Sequence, residues 1–149
     1  MDHPFIRSPG EWIGQGKITF SNSSEVIRYY TKWIVFPEKD SIIRCEQFVE
    51  KEGIPEPICN SFLFSDISSD AFSVILSNED ISSVSGQGLI NDRIIAWEFH
   101  HQNPSADEEE ISLEGIEVYT LQDGGDYLVH AEYMSEMMRT IIDGRIWKK

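Results

Sequence analysis

The residues best suited to chemistry in this chain are its four histidines, His3, His100, His101 and His130, and several charges interleaved with aromatic rings. An imidazole acts as ligand or proton carrier only beside a suitable partner. His100 and His101 are adjacent, so on an extended segment they point to opposite faces and cannot share one metal. His100 shares a face with Ile94, Ala96 and Glu98, and His101 with Ile95, Trp97 and Phe99. His130 shares its face with Leu128, Glu132 and Met134. A His100–His130 pair across strands is the metal-type arrangement this spacing offers; surface or hydrogen-bonded histidines are the simpler reading, and no metal or cofactor is expected. Glu98 and Glu132 make an acid–base pair only if both enter one lumen, and on alternating strands such residues usually line the wet face. No nucleophile elbow, phosphate-cradling glycine loop or spaced cysteine cluster is present in the sequence. Binding, rather than catalysis, is the expected chemistry.

The interleaved charges are Arg28 with Tyr30, Arg44 with Glu46 and Phe48, and Arg93 with Trp97. An arginine inside a barrel needs an anionic partner, so Arg28 and Tyr30 facing inward would imply a carboxylate-bearing ligand. Arg28, Tyr30, Arg44, Trp97, Tyr119 and His130 are therefore the candidate ligand-binding residues of an interior. The other face of the same strand carries Tyr29, Trp33 and Val35, which would fill the interior and leave Arg28 in water. Both faces are mixed, and periodicity leaves the choice open.

The elements that must position these residues are strands. Residues 17–21, 25–36, 41–50, 58–65, 71–77, 84–90, 93–102, 111–121, 126–134 and 139–147 alternate apolar and polar side chains. Turn chemistry separates them: Asn22-Ser23-Ser24, Pro37-Glu38-Lys39-Asp40, Ser65 to Asp70, Ser77 to Asp80, Asn91-Asp92, and Asp123-Gly124-Gly125-Asp126. Pro55 and Pro57 mark 51–57 as a loop. Residues 1–11, with Pro4, Pro9 and Gly10, read as an irregular lead-in, and 102–110 as a solvated acidic loop. Glu136 to Met138 reads as a short helical turn. Gly86 and Gly88 lie on one face of their strand, which suits tight coiling or an aromatic ring packed across the backbone. Short links pair each strand with its sequence neighbour, and closure removes exposed edges. The expected fold is all-β: one antiparallel up-and-down barrel of about 8–10 strands, residues 1–149 forming a single domain.

Charge narrows the partners. Twenty-six Asp and Glu against twelve Lys and Arg leave a formal net charge of −14 in 149 residues. Such a surface repels nucleic acid and anionic membranes and suits a partner with a basic face. No apolar run is long enough to span a bilayer, the N-terminus lacks the pattern of a signal peptide, and a cytoplasmic location is expected. Cys45 and Cys59 read as packed thiols rather than a disulfide.

Gly10-Glu11-Trp12 at the start of the first strand resembles the Gly-x-Trp signature of the calycin superfamily, the lipocalins and fatty-acid-binding proteins. The stretch Trp12-Ile13-Gly14-Gln15-Gly16 is similar to the strand opening of nitrobindin-like barrels. The resemblance implies that Trp12 plugs one barrel end and that Arg139 or Arg145 packs over its indole. It also implies a small hydrophobic or amphipathic ligand in the lumen. A late histidine ligates haem in nitrobindin-like proteins, a role that would fall to His130. The chain departs from fatty-acid-binding proteins in having no room for a helical lid after the first strand, and from lipocalins in stopping at Trp147-Lys148-Lys149. The runner-up reading is a filled barrel that docks a basic protein partner, and a cavity of several hundred cubic ångströms with convergent polar groups separates the two.

Overall fold

The structure, a computed structural model, describes residues 3–80, 83–100, 114–135 and 137–149, with His100 described through its backbone alone. Ten strands follow in chain order: β1 Gly10–Phe20, β2 Val26–Val35, β3 Ile43–Lys51, β4 Ile54–Ser65, β5 Ala71–Ser77, β6 Val84–Ile90, β7 Ile94–His100, β8 Glu114–Leu121, β9 Tyr127–Ser135 and β10 Met138–Lys148. Each pairs antiparallel with its sequence neighbours, and β1 closes on β10 from Trp12↔Lys148 to Phe20↔Thr140. The result is a closed up-and-down barrel of ten strands. No helix among the described residues is long and apolar enough to cross a membrane.

Alternation sorts the side chains. On β2, Tyr29, Thr31, Trp33 and Val35 turn inward, while Arg28 and Tyr30 face out. Trp97 and Phe99 of β7 and Tyr119 of β8 also turn inward. One end of the barrel is packed with rings: Trp12, Trp33, Phe62, Phe64, Phe72, Trp97, Tyr119 and Tyr127. Trp97 stacks on Tyr119 with ring centroids 4.9 Å apart and meets Phe62 and Phe64 edge-on at 5.8 and 5.3 Å. Such offset and edge-to-face arrangements satisfy the ring quadrupoles.

Glycine makes this packing geometrically feasible. A Cβ at Gly88 would lie 2.1 Å from the Phe72 ring, and one at Gly115 would lie 2.4 Å from Tyr133. The rings cross the backbone where no side chain stands.

Three expectations change. The lead-in is part of the core: His3, Phe5 and Ile6 are buried, and Phe5 contacts Trp12, Trp33, Tyr119 and Tyr127. His3 Nδ1 lies 2.9 Å from the Tyr127 hydroxyl and Nε2 lies 2.5 Å from the Asn91 carbonyl. Buried Ile6 sits at φ 60°, a left-handed conformation that a β-branched residue holds only when its surroundings over-determine it. Second, residues 51–57 are not all loop. β3 and β4 turn on Glu52-Gly53, with Gly53 at φ 82°, and Pro55 and Pro57 belong to β4. They sit where the β3 register shifts, and β5 pairs with β4 only from Ser61 onward, so their missing N–H groups interrupt no regular ladder. Third, Met138 opens β10 against Ser135 rather than ending a helical turn. The 102–110 loop, His101 and Glu136 lie outside the described residues.

Candidate functional site

The aromatic packing fills only part of the lumen. Toward the end that carries the β1–β2 and β3–β4 turns, the inward positions shrink to Thr31, Val49 and Ala131, and a cavity of about 380 Å³ opens. Trp33 and Tyr119 form its floor against the ring cluster. Ile18, Phe20, Ile58 and Ile142 are among its apolar wall residues, and Lys51 and Asp80 are its outermost charges.

Two polar groupings face this space. The first is a single buried carboxylate, Glu117 of β8, only 6% exposed. Tyr119 donates its hydroxyl to Glu117 Oε1 at 2.7 Å, and Tyr133 donates to Oε2. Burial raises the Glu117 pKa, while the donors Tyr133, Tyr119 and Trp97 pull it back. The Trp97 indole N–H is close enough to favour the charge, yet it falls short of hydrogen-bond geometry and counts as an unpartnered buried donor. Burial and the Glu117 charge push Tyr119 and Tyr133 far above the ordinary tyrosine range, so both remain protonated donors. Tyr29 is raised in the same way, first by burial and then by Glu117 and Asp143.

The second grouping is an amide ladder across β2, β3, β4 and the end of β5. Asn78 donates to Asn60 at 2.9 Å, Asn60 to Gln47 at 3.0 Å, and Gln47 to the Thr31 hydroxyl at 3.2 Å. The strand register produces it, since Gln47 stands opposite Asn60 and both turn inward.

The sequence candidates divide by face. Trp97 and Tyr119 point into the barrel beside Glu117. Arg28, Tyr30, Arg44 and His130 point out, because the alternate residues of their strands, Tyr29 and Trp33 on β2, Ile43 and Cys45 on β3, and Val129 and Ala131 on β9, face the core. Arg28 and Tyr30 line an outer crevice beside Gly16 and Lys17, and the Arg44 guanidinium covers the Phe36 ring at 4.3 Å. His130 lies 2.6 Å from Asp143 and 3.1 Å from Glu132, which together raise its pKa above 6.5. An outward His130 cannot ligate a group held in the lumen.

The Glu98–Glu132 pair does not form in the lumen: both are on the outer face, and Glu132 is bonded to His130 and Arg139. Trp12 is buried at the barrel end opposite the cavity mouth, but its ring neighbours are Phe5 and Tyr127. Arg139 and Arg145 are drawn instead to Glu132 and Asp126, at 3.5 and 3.1 Å. Gly10, at φ 152°, starts β1 in a conformation that suits glycine. Cys45 is buried and Cys59 exposed, both as free thiols, with burial pushing the Cys45 pKa up to about 12.

Glu117 was missed in the sequence because Gly115, Glu117, Tyr119 and Leu121 alternate with the equally apolar Ile116 and Val118. Gly115 was the available signal: an inward glycine is where an aromatic ring crosses, and that ring is Tyr133.

A closed antiparallel barrel with a part-filled lumen is thus the class of protein defined here. No protein-family model matches the chain, and no curated protein is similar to it. Among solved structures, it is similar in fold to the crystal structure of Rv2717c from M. tuberculosis, with a TM-score of 0.68 at 11% identity, covering 95% of this chain and 92% of that one. The likeness concerns the fold alone.

Proposed function

We propose that this protein is a calycin-like carrier or sensor that binds a small, largely apolar molecule in the barrel without catalysis. The observation that carries the reading is the cavity of about 380 Å³ with Glu117 and the Thr31–Gln47–Asn60–Asn78 ladder converging on it. Ligand sites are typically concave, mostly apolar and furnished with a few fixed polar groups, at volumes of about 300–1,000 Å³. The ligand's polar head is taken by groups that differ from those expected at first. Arg28 and Arg44 face water, so the argument for a carboxylate-bearing ligand loses its basis. Among the described residues, the polar groups bonded to Glu117 are the hydroxyls of Tyr119 and Tyr133, not the second carboxylate or histidine of an acid–base pair. A filled barrel docking a basic protein has less support, because the rings occupy only one end of the lumen.

Native mass spectrometry of freshly purified protein tests the reading, with Ala131→Phe as the comparison. Ala131 is buried on the cavity wall, opposite Glu117 in the β8–β9 register, and a phenyl ring there occupies the space. The expected result is extra mass on the wild type that leaves on denaturation and is absent from the variant. Bare chains in both, with no change in tryptophan fluorescence across a library of apolar small molecules, would overturn the proposal.

A further inference from the structure

The surroundings of Glu117 narrow the chemistry of the occupant, and the inference rests on the ligand-binding reading above. A carboxylate removed from water is costly unless opposite charge or protonation neutralises it. The groups that favour the charged form of Glu117 are Tyr133, Tyr119 and Trp97, all neutral donors, and no cation is among them. Lys51 is the one cation among the described lining residues, and it shares the outer part of the cavity with Asp80. Each Glu117 oxygen accepts one tyrosine hydroxyl and retains a second lone pair. Tyr29, Trp33, Tyr119 and Tyr133 line the same space, and aromatic rings attract organic cations.

We propose that the cavity takes an organic monocation: an ammonium on an apolar body, its N–H groups paired with Glu117 and its charge surrounded by tyrosine and tryptophan rings. The remaining wall, Ile18, Phe20, Val49, Ile58, Val129 and Ile142, accommodates the apolar body. An anionic head would meet the Glu117 charge or force its protonation. A neutral hydroxyl gains a single bond without the charge. The titratable groups facing Glu117 do not compete for this role, since Tyr29, Tyr119 and Tyr133 are all pushed up and stay protonated.

Octylamine, 1-octanol and octanoate share one chain length and differ only in head group, so calorimetric titration of the intact protein with each isolates the charge. Octylamine is expected to bind at least about tenfold more tightly than 1-octanol, as for hydrogen bonds to charged groups, with octanoate weakest. Glu117→Gln is expected to bring octylamine to the level of 1-octanol. If that variant does not fold, the head-group order on the wild type decides alone. Equal binding of amine and alcohol, or preferred binding of octanoate, overturns the cation while leaving a ligand-binding barrel. If none of the three binds, and Ala131→Phe is indistinguishable from the wild type, the ligand reading falls with it.

Discussion

Phe5→Ala is the sharpest test of how this barrel is held together, because the residue lies in a segment that the sequence presents as an irregular lead-in. The ring is fully buried and lies 5.2 Å from Trp33, 5.2 Å from Tyr119, 5.4 Å from Trp12 and 5.7 Å from Tyr127, centroid to centroid. Removing a core phenylalanine costs about 3–5 kcal/mol, and the loss of several aromatic contacts places this site toward the upper part of that range. For a chain of this length, that corresponds to a fall in melting temperature of about 6–20 °C. The cost has a ceiling. If residues 3–9 can detach while the barrel stays closed, the penalty saturates at the free energy that docks them. Urea denaturation followed by tryptophan fluorescence measures the loss, because Trp12 and Trp33 flank the site. Tyr30→Ala, exposed on the outer face of β2, serves as the control and is expected within about 0.5 kcal/mol of the wild type. A loss below about 1 kcal/mol for Phe5→Ala, with unchanged tryptophan emission, would refute the claim that the N-terminal segment is part of the core.

Gly88→Ala should destabilise by about 1–3 kcal/mol, since its Cβ would stand 2.1 Å from the Phe72 ring; a neutral result in chemical denaturation would show that the ring moves aside freely. Glu117→Gln should change the pH dependence of stability in a defined direction. The folded pKa of Glu117 is raised above its ordinary 4.5, so its contribution is fully present below that pH and is lost as pH rises through the folded value. Glutamine does not titrate, so the variant should gain on the wild type by up to about 1.4 kcal/mol per pH unit across that window. Parallel stability curves for the two proteins would show that Glu117 keeps an ordinary pKa in the fold.

The barrel was legible because period-two alternation and turn residues are local signals, and short links leave few topologies. Gly86 and Gly88 suit tight coiling or a packed ring, and at Gly88 that ring is Phe72, whereas Gly86 lies against the Glu98 carbonyl. The choice of inner face was not legible. On β2, Arg28, Tyr30, Lys32 and Ile34 alternate with Tyr29, Thr31, Trp33 and Val35, and each set contains rings and polar atoms. The decision is collective: Trp33 packs with Trp97 and Phe62 from other strands and with Phe5 from the N-terminal segment, and a single strand carries no record of that. The same reason hid the candidate site. Gln47, Asn60 and Asn78 look like ordinary surface amides until the register places them in one hydrogen-bonded row facing inward. Phe5 and Ile6 were hidden differently, because Pro4 and Pro9 mark an irregular backbone truthfully while saying nothing about where it packs.

The division of the lumen gives the two ends different physical tasks. Strand number sets one diameter along the whole barrel, so side-chain size alone decides where the interior is solid. Tryptophan, phenylalanine and tyrosine close one end, and their dispersion and apolar burial supply most of what holds the strands in register. At the other end, Thr31, Val49 and Ala131 leave space, and the buried carboxyl there costs stability rather than adding to it. A fold does not need Glu117 in that position, since a leucine would pack without a desolvation penalty. Its position beside two tyrosine donors is a cost that the aromatic end can offset, and it is the kind of local conflict that marks a working site. Substitutions at the ring-filled end should therefore act mainly on stability. Those at Ala131, Thr31 and Glu117 should act mainly on what the barrel accepts.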